Sequence, residues 1–121
     1  MKYLLLINND AAAAERWRSL SPAEAQKLRE KEMPRWNELF QWMGERGIEV
    51  QGLELADPGE ARVVRVRDRE TFVSDGPFAE TKELLGGYLL AELDDLDQAI
   101  EIAERIPTGK GSIEIRPLAT Q

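Results

Sequence analysis

The chain has 121 residues, with 16 Lys or Arg against 23 Asp or Glu, for a formal charge of −7. That length suits one domain with its own core, small enough that a partner subunit would add much burial; the acidic balance, with no concentrated basic tract, opposes approach to a nucleic-acid backbone. Cys and His are both absent, which excludes disulfides, thiolate nucleophiles and Cys or His metal ligands and leaves acid–base chemistry to a shifted carboxylate, Lys or Tyr.

Lys2 precedes an apolar run, but the run is shorter than the apolar region of a secretory leader and ends in Asn8-Asn9-Asp10. Tyr3 to Ile7 reads instead as a central strand covered on both faces. With no stretch long enough to span a bilayer, a soluble cytoplasmic protein is expected. Ala11 to Leu20 reads as a linker or an extra helical turn. Ser21-Pro22-Ala23-Glu24 forms a capping box with Pro at the first helical position. Leu28, Trp36, Leu39, Phe40 and Met43 continue at helical spacing to Gly47, a left-handed terminator. Pro34 falls inside this helix, where it costs about 3 kcal/mol, so a kink or break is expected near Met33.

Ile48 to Ala56 reads as a strand, Asp57-Pro58-Gly59 as a turn and Ala61 to Arg67 as the return strand, with Asp68-Arg69 turning the chain into a short strand from Thr71 to Val73. Asp75-Gly76-Pro77 is turn chemistry, and Pro77 suits the start of a short helix to about Leu84 that Gly86-Gly87 would end. Tyr88 to Leu93 reads as a buried strand. Asp95, with Gln98 completing a capping box, opens a helix carrying Leu96, Ala99, Ile100, Ala103 and Ile106 on one face, stopped by Pro107. Ser112 to Leu118 alternates Ile113 and Ile115 with Glu114 and Arg116, a strand with one wet face. Thr108-Gly109-Lys110-Gly111-Ser112 lacks the spacing of a phosphate loop and leads into a strand. The order predicts an α+β domain of ferredoxin-like β-α-β-β-α-β pattern, with a short hairpin strand and helix inserted and one sheet face left for a second copy to cover.

The stretch Ser74-Asp75-Gly76-Pro77-Phe78-Ala79-Glu80-Thr81-Lys82-Glu83, followed by Gly86-Gly87-Tyr88, resembles the signature of the DGPF branch of the YCII-related proteins. The Met1-Lys2-Tyr3-Leu4-Leu5 start, the Ser21-Pro22 helix opening and Glu114-Ile115-Arg116-Pro117 extend the likeness over nearly the whole chain. The resemblance implies a dimeric α+β barrel with a cleft between sheet and helices on each subunit, and two classes of function. One is a cofactor-independent enzyme or binding protein for a small organic acid; the other is a non-catalytic regulatory module, associated in some members with an alternative sigma factor. It also implies a His–Asp pair where a catalytic site has been proposed. Trp36 stands near the place of that His, and Trp cannot take up a proton near neutral pH.

Asp75 is the candidate general base, with a turn or helix-cap role favoured over it. Candidate ligand-binding residues are Lys82 as an anion partner, Arg65 as a carboxylate partner beside Val64 and Val66, and the aromatics Trp36, Phe78 and Tyr88, which more often serve a core or an interface. Glu80 is an alternative proton carrier. No cofactor is implied, and no metal is expected, because the carboxylates follow no metal-loop spacing.

Overall fold

The computed structural model describes residues 1–76 and 83–121. Strand β1 (Lys2–Asp10) leads through helix α1 (Ala11–Arg18) and helix α2 (Pro22–Glu45) to β2 (Val50–Glu54); a 3-10 turn (Pro58–Glu60) precedes β3 (Arg62–Arg67), β4 (Glu70–Asp75) and β5 (Glu83–Glu92), and α3 (Leu96–Arg105) leads to β6 (Ser112–Pro117). Four strands form one sheet in the order β2-β5-β1-β6, and β3 and β4 form a separate two-stranded ribbon. All pairings are antiparallel.

Period-2 alternation gives β1 two different faces. Tyr3, Leu5 and Ile7 are buried with Leu89, Ala91 and Leu93 beneath Leu39 and Met43 of α2 and Ala99, Ile102 and Ile106 of α3. Leu4 and Leu6 point to the other side of the sheet, which no described helix covers. Helix α2 begins as its sequence dictates: Ser21 accepts from the Glu24 N–H at 3.2 Å while Glu24 accepts from the Ser21 N–H at 3.1 Å. Hydrogen bonding from Ser21 to the carboxylate, first from its backbone N–H and then from its side chain, holds the Glu24 carboxyl below its ordinary range. At its far end Gly47 takes φ +68°. Arg46 and Arg105 lie over the Trp42 ring at 4.1 and 4.0 Å, clamping the ends of α2 and α3 together. Arg29 makes two bonds to Glu54, at 3.0 and 3.1 Å, and lies 5.1 Å from the Trp17 ring centre, tying α1, α2 and β2 together. The Glu54 carboxylate raises the Arg29 guanidinium further above its ordinary range.

Several expectations need correction. Of the two readings for the segment after Asp10, linker or extra helical turn, the helical one holds, lengthened to two turns, Ala11–Arg18. Of the kink or break expected near Met33, the break does not occur: helix α2 is continuous through Pro34, carried across the missing hydrogen bond by the burial of Leu39 and Met43 beyond it. Strand β3 does not return along β2: it pairs with β4, while β2 pairs with β5. The insertion between β2 and β5 is therefore a complete ribbon, turned at Asp68 and Arg69, which both have positive φ. Pro77 to Lys82, most of the expected short helix, lie outside the described residues. Glu83 and Leu84 belong to β5, and Gly86-Gly87 lies within that strand rather than ending a helix. Gly86 is the extra residue of a bulge opposite Ile7 and Asn8, and a Cβ on Gly87 would sit 3.0 Å from the Leu53 carbonyl oxygen. These glycines admit close strand approach. On α3 the buried face is Ala99 and Ile102, continued by Ile106 just past its end, with Leu96 and Ile100 left exposed.

The capping box makes a pH prediction. Because the folded Glu24 carboxyl is held low, its contribution is present above the unfolded pKa and is lost as pH falls through the folded one. Ser21→Ala, which loses the hydroxyl cap, is expected to cost about 1 kcal/mol at neutral pH, while Glu24→Gln, which keeps an acceptor oxygen for the Ser21 N–H but no titrating carboxyl, is expected to flatten the acid limb of stability against pH, both read by urea melts at fixed protein concentration.

Candidate functional site

The sheet's second face is built in rows. Arg116, Leu4, Leu90 and Gln51 lie across it in one row, and Glu114, Leu6, Tyr88 and Leu53 in the next. A third row, beyond the bulge, holds Ser112, Asn8 and Leu85. Leucine and tyrosine fill the centre, the charges of Glu114 and Arg116 sit along the β6 edge, and Leu53 at the β2 edge is 68% exposed. Ser112 donates to Glu83 at 2.6 Å beside the third row.

A hollow of about 440 Å³ opens between the end of β2 and the foot of the ribbon, with Leu55, Pro58, Arg62, Val63, Leu84 and Leu85 among its walls. Its lining is mainly apolar, and the Arg62 guanidinium is already engaged. Arg62 donates to the carbonyls of Ala61 at 2.8 Å and Gly59 at 3.3 Å, and its Nε lies 3.6 Å from Asp75.

The sequence candidates divide among separate places. The Asp75 side chain, 92% exposed, stands directly across the ribbon from Arg62, where its ion pair is a surface contact. Arg65 lies opposite Phe72 in the middle of the same ribbon. Tyr88 belongs to the open sheet face, paired with Leu6 and Leu53. Trp36 lies on the other side of the sheet, half-buried against the core with its ring 6.0 Å from that of Phe40. Phe78, Glu80 and Lys82 fall outside the described residues. Trp36 and Tyr88 thus cannot share one cleft within a subunit. Reading the sequence missed the Arg62–Asp75 pair, although a two-residue turn at Asp68-Arg69 fixes that register by counting outward. It also missed Leu53 and Leu55 as exposed apolar positions, because an apolar residue in an edge strand carries no mark of which face it takes. Among the described residues no three carboxylates gather as a metal site, and no helix is long and apolar enough to cross a membrane.

Residues 1–120 match the YCII-related domain. The chain belongs to the YCII-related family. It is also similar to an uncharacterized protein of Rhizobium meliloti (strain 1021), 45% identical over 62 residues that cover 49% of this chain and 50% of that one. The chain spans about half the length of that curated relative in the match. In this YCII-related chain the ribbon carries Asp75 out into solvent, where a carboxylate keeps the hydration of a surface group. Exposed ion pairs contribute about 0–1 kcal/mol, so Asp75→Asn and Asp75→Ala are both expected to change unfolding stability by less than about 1 kcal/mol. Matched denaturant melts check this; a much larger loss in both variants would show that the carboxylate has a structural task beyond Arg62.

Proposed function

We propose that the protein is a non-catalytic binding module of the DGPF branch, working as a homodimer of ferredoxin-like subunits whose open sheet faces meet to close a barrel. Reading the strand order from the other edge, β6-β1-β5-β2, and setting the ribbon aside, supports the ferredoxin-like pattern of two crossing β-α-β halves. The observation that carries the proposal is the open face, with Leu4, Leu6, Tyr88 and Leu90 at its centre and Leu53 exposed at its edge. An apolar sheet face rimmed by charge is what a self-associating subunit presents. A soluble cytoplasmic setting and a regulatory protein partner accord with the resemblance. Acid–base catalysis has less support: the candidate base Asp75 is a solvated carboxylate, and Trp36 and Tyr88 lie on opposite sides of the sheet.

Analytical ultracentrifugation at micromolar concentration tests the assembly. Wild type is expected as a dimer, and Leu53→Glu, which puts a charge at an already exposed position, is expected to weaken association by at least tenfold, on the order of 1.4 kcal/mol, without loss of helical signal. A monomeric wild type at 100-fold higher concentration, on the order of 100 μM, well above the range of a stable dimer, would sink the proposal.

The hollow favours a second reading, a site for a small organic acid with a substantial apolar body. The Arg62 cation stands at its wall, although two hydrogen bonds and an ion pair already draw on it. A thermal-shift screen of aromatic and branched aliphatic carboxylic acids is expected to give hits that Leu84→Asp abolishes; hits that survive that change would place the ligand elsewhere.

A further inference from the structure

The β3–β4 ribbon has two sides of different character. On one, Val63 faces Ser74, Arg65 faces Phe72 and Arg67 faces Glu70; on the other, Val64 faces Val73 and Val66 faces Thr71. Val63 is the one half-buried residue of the ribbon, so the first side is turned at its foot toward the rest of the subunit, while Arg62 at the foot of the second side also reaches the hollow. The second side is a β-branched patch in the open, with Val64, Val66 and Val73 exposed by 58%, 57% and 63%. A two-stranded ribbon alone in water is marginal at best. This one is further loaded by a turn in which Arg69, which lacks the local hydrogen bonding that eases Asp into left-handed backbone, has φ +67°. Its valine side needs a cover to hold the ribbon's shape.

We infer, building on the dimer reading above, that a second copy of the chain supplies that cover, the ribbon being an arm whose Val64, Val66 and Val73 side lies against the partner subunit. Area selects this occupant. Four strands spaced about 4.8 Å apart and paired over about six residues give a sheet face of roughly 19 by 20 Å, near 400 Å² in plan. Stable dimers bury about 800 Å² on each partner. The sheet face alone therefore falls short. The valine side of the ribbon, roughly 20 by 10 Å, is the apolar surface next to it in the chain; it brings the apolar plan area to about 600 Å², nearer to that figure, and extends the interface beyond the β2 edge, where Leu53 and Leu55 are exposed. Its chemistry suits a dry contact: three valines and a threonine lose little side-chain freedom on burial, and the charges of Arg62 and Asp75 stay paired at its end.

The absence of Cys makes the test direct. A nitroxide label on Val66→Cys, with Lys31→Cys on the exposed surface of α2 as reference, reports collision with a water-soluble nickel chelate in the full chain. Each is measured in the wild-type background and with the added change Leu53→Glu as the monomer. The label at position 66 is expected to be at least threefold less accessible in the dimer than in the monomer while the reference does not change, and Val64→Lys is expected to raise the dimer dissociation constant at least tenfold. A dimer in which position 66 stays as accessible as the reference, with Val64→Lys leaving the constant unchanged, would overturn the arm while leaving the sheet-face dimer intact. A label already protected in the monomer would overturn it too, by showing that the subunit covers its own ribbon. A wild type that is monomeric throughout would remove the dimer reading and the arm with it.

Discussion

Strand β1 has to be apolar on both faces, and most of the structure follows from satisfying it. Leu5 is fully buried, with β5 on one side, β6 on the other and two helices above. Every element that touches this strand is placed by it. Helices α2 and α3 are held where Leu39, Met43, Ala99 and Ile102 can reach its odd-numbered residues, and β5 must be long enough to flank it from Lys2 to Asp10. Leu4 and Leu6, by the same alternation, carry apolar surface through to the far side, so the strand that builds the core also makes the second face apolar at its centre.

Polar chemistry is kept to the margins of this arrangement. The core among the described residues contains no buried polar or charged side chain, and the ion pairs lie at the surface, where each contributes little. Arg29 and Trp42 show how the helices are located without buried charge. One forks onto Glu54 beside Trp17, and the other is held between two guanidinium groups. Such contacts fix the angle of a helix over a sheet whose apolar packing alone tolerates sliding.

What the sequence disclosed was mainly local. Ser21, Gly47 and Asp95 mark helix ends because capping uses atoms within a few residues of one another, and the helix starts and stops were legible from them. The apolar run of β1 announced a central strand for the same reason. Strand partnership was not legible, since nothing in Val50–Glu54 or Arg62–Arg67 states that the first reaches across to β5 and the second folds onto β4. Gly86-Gly87 was the most misleading pair. Glycine ends helices through backbone freedom and serves strands through lack of a side chain, and only the approach of Leu53 and Asn9 distinguishes the two uses. The candidate site fared least well because its residues were gathered from one stretch of sequence, and a ribbon spreads such a stretch along its length: Asp75 at the foot, Arg65 in the middle, Tyr88 in a different sheet.

The position of β1 in the middle of the sheet also sets the order of events during synthesis. Its neighbour β6 is encoded about a hundred residues later, and at roughly 5–20 residues per second the ribosome takes on the order of 5–20 s to supply it. Throughout that interval Leu4-Leu5-Leu6-Ile7 lacks one flanking strand, and for most of it lacks β5 as well. Helix α2, whose bonds are local, has time to form first, while the sheet closes only when the final strand arrives. A short aliphatic run without charge is the kind of segment that pairs with copies of itself when left waiting. For this chain the hazardous stage of its life is the nascent one, and crowding of ribosomes on one message would sharpen it.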